Sequence, residues 1–166
     1  MTNETVQVAI IMGSDSDLPV VEASFSILDD FGVKYTKNVM SAHRTPHDVM
    51  ELIKTSEEHG CKVFIAAAGM AAHLAGAVAA HSTKPVIGIP IESGGMGGID
   101  SLLSTAMMPP GVPVATVAVG KSGAKNSAIL AVQILATSDE DLAQKLVEYK
   151  QNMRSEVLEK DKKLNS

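Results

Sequence analysis

The chain has 166 residues, 45% hydrophobic and 20% charged, with a net charge of −5 and one cysteine, Cys61. That length suits one domain, 1–166, with a core at about 6–137 and a C-terminal helix at about 139–160, able to bury roughly two thirds of its unfolded surface. The acidic balance and an aromatic content of 3% exclude a nucleic-acid surface, and a lone cysteine excludes an internal disulfide or thiolate cluster and points to the reducing cytoplasm.

The opening MTNETVQVAI lacks a basic segment followed by an apolar run, so no secretory signal is expected. VQVAIIM (6–12) reads as a buried strand, GSDSD as its exit, and 18–32 as an amphipathic helix ending at Gly32. VKYTKNVM (33–40) is a weaker strand; SAHRT follows, then a helix opening at Pro46, where a missing amide costs least, and running to about Gly60. KVFIAAA (62–68) is the third strand, and the almost wholly apolar AAHLAGAVAAH (71–81) the next helix. The nearly charge-free stretch from Val63 to Lys84 is broken by glycine and histidine, so no membrane span is predicted.

PVIGIP (85–90) and VPVATVAV (112–119) supply strands four and five. Between them lies a glycine-rich segment, a short helix and a proline turn, read as the mobile loop. SAILAVQILAT (127–137) is a helix, S-x-x-D from Ser138 opens a long charged one, and KDKKLNS is expected to fray.

Apolar strands alternating with helices imply a parallel sheet covered on both faces, an α/β three-layer α/β/α sandwich. Ligands bind such sheets beyond the carboxyl ends of the strands. Five polar or glycine-rich exits are expected to converge there: GSDSD, SAHR, AAGMAAH, PIESGG and VGKSG.

Gly13 is read as allowing a sharp turn, after which Ser14, Ser16 and the following amides can aim donors at a phosphate. Equally, Ser14 or Ser16 with the neighbouring aspartates can simply cap the helix beginning at Leu18. Asp17 suits the hydroxyls of a ribose. In SAHRTPH, Arg44 offers a planar fork for phosphate or carboxylate, Ser41 a hydroxyl, and His43 a general acid and base, the ordinary imidazole pKa being about 6.5. The bland alternative is a polar loop with Arg44 on a surface carboxylate. His43 and His47 are four apart, but Pro46 leaves His43 ahead of the helix, so the rings are not expected to share a face or a metal.

Gly69 stands at a tight exit, His73 in a first helical turn where it can touch a ligand, and His81 at the far end of the same helix, where it favours the helix C-terminus. The all-round apolar character of that helix marks a subunit interface. VGKS fails as a phosphate loop because Ala115 stands where glycine is needed. Lys121 and Lys125 read as solvated loop charges. No G-x-G-x-x-G, G-x-S-x-G or C-x-x-C occurs, so no redox cofactor, and no cofactor of any kind, is expected.

MGSDSD, SAHRTP, AGMAAHLAG and the run from IPIESGGMGGID through AVQIL together resemble the N5-carboxyaminoimidazole ribonucleotide mutases, the phosphoribosylaminoimidazole carboxylase catalytic subunits of purine biosynthesis. The similarity covers about residues 6–137. It implies a flavodoxin-like fold, a homo-octamer and a nucleotide substrate. It further implies substrate-binding positions at Ser14, Asp17 and Arg44 with Ser16 and Ser41 beside them, proton transfer by His43, and a loop of Gly69, Ala71, Ala72 and His73 around the imidazole and its carboxylate. Two positions depart from the family pattern G-G-A-A-H-L-P-G: Met70 replaces the second glycine and Ala75 the proline.

The implied reaction moves a carboxyl group from the exocyclic nitrogen to C4 of the imidazole, needing no metal. A second class of the family carboxylates aminoimidazole ribonucleotide with free carbon dioxide, and SAHRTP with A-A-H favours the mutase class. Two further readings compete: a non-catalytic nucleotide or flavin module, against which the aromatic-poor loops argue, and a structural assembly subunit.

Overall fold

The computed structural model describes residues 5–166. Five strands form one wholly parallel sheet: β1 Val8–Met12, β2 Tyr35–Val39, β3 Val63–Gly69, β4 Val86–Ile91 and β5 Ala115–Thr116, in the order β2-β1-β3-β4-β5. Six α-helices accompany them: α1 Leu18–Phe31, α2 Pro46–Glu58, α3 Leu74–His81, α4 Ile99–Ala106, α5 Lys121–Ala136 and α6 Glu140–Leu164. This is the flavodoxin-like doubly wound order, in which the chain leaves β1 for one side of the sheet and returns on the other.

The pleat explains why the strands read as continuous apolar runs. Val8, Ile10 and Met12 face a core completed by Val21 and Leu28 of α1 and Ala124, Ala128 and Val132 of α5. Ala9 and Ile11 face the opposite core, with Val49 and Ile53 of α2 and Leu74 and Val78 of α3. Because successive side chains alternate between faces, a strand with helices on both sides must be apolar at every position. Small residues set the helix spacing: Ser24 of α1, fully buried, donates to the Ala124 carbonyl at 2.9 Å.

Four boundaries differ from the sequence reading. The fifth strand was expected at 112–119, yet only Ala115–Thr116 joins the ladder. The Pro90 carbonyl accepts from Gly120 on the β5 side at 3.0 Å. In a parallel strand a residue's N–H and C=O point to the same side, so the amide Pro90 lacks is a donor missing from that pairing. Helix α3 begins at Leu74 rather than at 71, because Met70 takes φ 56° and the Ala72 amide turns back to the Met70 carbonyl at 2.9 Å. His73 is therefore the residue before the helix.

Helix α5 begins at Lys121, six residues before the expected 127. Gly123, which read as loop, is helical: a Cβ there would collide with the Ala118 carbonyl, so the glycine permits a close approach. Helix α6 is capped by Asp139, whose carboxylate accepts from Leu142 N at 3.0 Å, rather than by Ser138, and it continues to Leu164 instead of fraying at 160. Lys162 and Lys163 in its last turn favour the negative helix end. The short helix expected in the long loop is α4. No helix among the described residues is long and apolar enough to cross a membrane.

Candidate active site

The carboxyl ends of the first four strands open on one cavity of about 600 Å³, a volume that suits a small ligand. Its wall includes all ten residues singled out from sequence: Ser14, Ser16 and Asp17 from the β1 exit, Ser41, His43 and Arg44 from the β2 exit, and Gly69, Ala71, Ala72 and His73 from the β3 exit. Ser93 joins from beyond β4. The fifth exit, VGKSG, does not line the cavity, since the chain enters α5 directly after Gly120.

At the β1 exit the serines and aspartates first hold each other. Asp15–Asp17 forms a single 3-10 turn with Ser14 as its cap. The Ser14 hydroxyl accepts from Ser16 N at 3.3 Å and from Ser16 Oγ at 2.8 Å, while Asp17 Oδ2 accepts from Ser14 N at 3.1 Å. Ser14 thus caps this 3-10 turn and not helix α1, whose preceding residue Asp17 makes no side-chain cap bond, and Ser14, Ser16 and Asp17 line the cavity. Asp17 is only 6% exposed. Burial raises its carboxyl above the usual range; the Ser14 amide lowers it in part, and the nearby Asp15 charge adds to the rise. Gly13 has no left-handed conformation, and a Cβ on it would meet its nearest atoms at 3.7 Å, ordinary contact. The turn does not require glycine there, contrary to the sequence reading.

At the β2 exit, Ser41 organises the loop. Its hydroxyl accepts from the amides of His43 at 3.3 Å and Arg44 at 3.2 Å, with Arg44 Nε at 3.5 Å. Thr45 closes the turn: Ser41 N donates to Thr45 Oγ1 at 2.9 Å, and Thr45 Oγ1 donates to the Ser41 carbonyl at 3.1 Å. Pro46 then starts α2, as expected. Arg44 is left exposed beside the cavity, the guanidinium cation on a wall whose carboxylate is Asp17. His47, in the first turn of α2, is not part of the wall. Among the described residues no three histidine, cysteine, aspartate or glutamate side chains gather closely enough to hold a metal ion.

The β3 exit supplies the feature that sequence spacing did not reveal. His43 Nε2 and His73 Nδ1 lie 2.7 Å apart, their rings edge to face with centroids at 4.8 Å. Thirty residues separate the two in the chain; only the β2-β1-β3 strand order brings their loops together. Met70, on the same exit, is the only residue other than glycine with positive φ among those described, and it is 63% exposed. Ser93 was legible only as part of the PIESGG exit. His81, at the other end of α3, bonds the Ala77 carbonyl through Nδ1 at 2.8 Å, the helix-terminal role expected of it.

Residues 7–156 match the family model described as AIR carboxylase. The N5-carboxyaminoimidazole ribonucleotide mutase of Bacillus subtilis is 52% identical over 157 residues, covering 95% of this chain and 97% of the relative. That of Thermotoga maritima is 51% identical over 158 residues, covering 95% and 91%. The crystal structure of Treponema denticola PurE superimposes with a TM-score of 0.88 at 31% identity, over 96% of this chain and 99% of the other. The chain belongs to the AIR carboxylase family.

Proposed function

We propose that this chain is an N5-carboxyaminoimidazole ribonucleotide mutase of purine biosynthesis, an isomerase that moves the carboxyl group from the exocyclic nitrogen to C4 of the imidazole. The observation that carries the reading is the single cavity at the carboxyl ends of β1 to β4, which gathers one guanidinium, a serine-rich turn and an imidazole pair. Mutase-named relatives at about half identity over nearly the whole chain support it.

In this reading Arg44 and the Ser14–Asp17 turn hold the ribose phosphate, so binding energy remote from the chemistry orients the ring. His43 delivers a proton to the carbamate nitrogen; the nitrogen–carboxyl bond breaks, leaving neutral aminoimidazole and carbon dioxide. Confinement by Gly69, Ala71, Ala72 and Met70 keeps the gas from escape and hydration. C4 then attacks carbon dioxide, and His43 removes the proton left on C4, restoring the aromatic ring. One proton leaves and one returns, so the enzyme ends as it began, and general acid–base catalysis of this kind contributes about 10² to 10⁴ in rate.

A cytoplasmic location and a homo-octamer belong to the same proposal. A lone, buried cysteine supports the first. An exposed apolar strip on and beside α4, made of Met96, Ile99, Leu103 and Met107, supports self-association.

The deciding assay offers the protein either the carbamate nucleotide or aminoimidazole ribonucleotide with bicarbonate, chelator present in both. Rapid product only from the carbamate supports the mutase; product only from the second mixture assigns direct carboxylation instead.

A further inference from the structure

His73 reads from sequence as a residue that touches ligand. The structure gives it a second relationship, to His43. At 2.7 Å, Nε2 of His43 and Nδ1 of His73 form a hydrogen bond, and a bond between two neutral imidazoles admits one proton. Two bare nitrogens repel at that distance and two N–H groups collide, so the tautomers of the rings are coupled. The outer nitrogens, His43 Nδ1 and His73 Nε2, have no hydrogen-bond partner among the described residues.

The backbone of His43 is fixed independently, through its amide on Ser41. The ring is not: both side chains are exposed at the cavity wall, and the second side-chain torsion of histidine is broad. Among the described residues the ring hydrogen bond and the ring contact of His43 are both with His73, which makes that contact the orienting interaction.

Resting on the mutase reading, we propose that His73 is a positioning residue for proton transfer: by accepting from His43 Nε2 it fixes ring and tautomer, leaving Nδ1 as the working nitrogen. The imidazolium of His43 donates through Nε2 to His73 and through Nδ1 to the carbamate nitrogen. Once that proton is delivered, His43 is neutral with Nε2–H retained and a lone pair on Nδ1. The proton on C4, one ring atom away from the carbon that bears the nitrogen, is taken by that same lone pair. Acid and base are then one atom of one ring, and no tautomer exchange is needed between the two half-reactions. His73 itself neither gains nor loses a proton.

The test compares His73→Leu, which keeps bulk and removes the acceptor, with His73→Asn, whose side-chain oxygen stands close to the position of Nδ1. Each is assayed with the carbamate nucleotide, and the ¹⁵N signals of the His43 ring are recorded in the full-length, isotope-labelled protein. Losing the partner that orients a metal-bound histidine costs about 10- to 100-fold, and a loss of that size is taken over here by analogy. The leucine variant is therefore expected to lose about 10- to 100-fold in kcat with KM changed less than about threefold, and its His43 signals should move to tautomer-averaged values. The asparagine variant is expected to recover about tenfold of the lost kcat.

Wild-type kcat and unaltered His43 signals in His73→Leu would overturn the proposal, as would a raised KM with kcat intact, which describes a binding residue alone. If the wild-type protein does not convert the carbamate nucleotide, the mutase reading fails; the ¹⁵N comparison still reports whether the two rings are coupled.

Discussion

Gly69 and Ser93 face each other across the ends of β3 and β4 with no room for a methyl group between them. A Cβ on Gly69 would collide with the Ser93 hydroxyl and come to 3.2 Å from the Ile91 carbonyl oxygen. This closeness shapes the cavity wall where the β3 exit turns toward His73. Gly69→Ala is expected to lower stability by about 1 to 3 kcal/mol, the usual cost of overpacking, and to reduce turnover. Adding Ser93→Ala removes the hydroxyl clash but leaves the Ser93 Cβ at 3.0 Å, and should restore part of both. Thermal melting and initial rates of the two variants check this; a Gly69→Ala protein as stable and active as wild type refutes the steric relationship.

Met70 holds a left-handed conformation that glycine adopts freely and other residues adopt at a cost of roughly 1 to 2 kcal/mol. Its side chain is 63% exposed, so little packing is lost on removing it. Against the relief of strain stands the greater freedom glycine gives the unfolded chain, about 0.5 to 1 kcal/mol. Met70→Gly is expected to raise the melting temperature slightly, while Met70→Ala, which keeps the strain, gives no gain. Equal shifts in both variants contradict the assignment of the effect to φ.

Burial raises the Asp17 carboxyl above its ordinary 3.8. A raised folded-state pKa means the folded protein binds that proton more tightly than the unfolded one. The resulting stability is fully present below 3.8 and is lost as pH rises through the folded value. At neutral pH the buried charge therefore destabilises relative to a neutral isostere, and Asp17→Asn, which keeps an acceptor for the Ser14 amide, should melt higher than wild type. The gap should close as the medium is acidified past 3.8. A gap independent of pH removes the explanation.

Arg44 is the guanidinium on the cavity wall, held near Ser41. Charge-assisted hydrogen bonds contribute about 1.5 to 3 kcal/mol, so Arg44→Ala should raise KM by more than about tenfold with kcat changed severalfold at most. Arg44→Lys should recover only part, because an ammonium cannot match a planar fork. Steady-state kinetics separate the two parameters, and an unchanged KM in Arg44→Ala takes the phosphate role away from this residue.

The sheet was legible because β1, β3 and β4 are buried on both faces, which forces apolar residues at every position. Where a boundary depended on a long-range contact, the local pattern misled. Gly123 looks like a loop residue until the Ala118 carbonyl is placed against it, and the fifth strand looks long until the missing amide of Pro90 is set beside it. The cavity wall was legible at the first four strand exits separately, while the fifth exit, VGKSG, was expected there and lies outside it. The His43–His73 bond was not, since it depends on β1 lying between β2 and β3, and neither histidine carries a local sign of the other. Ser14 illustrates the remaining ambiguity: capping and cavity-lining use the same atoms, and only the fold places the cap at the rim.

The most direct test of the central claim is the turnover of His43→Asn with the carbamate nucleotide, measured beside its binding of the product nucleotide. The variant is expected to fold and bind close to wild type while losing at least about 10²-fold in kcat. Turnover within a few fold of wild type would take His43 out of the chemistry and leave the cavity without its acid and base.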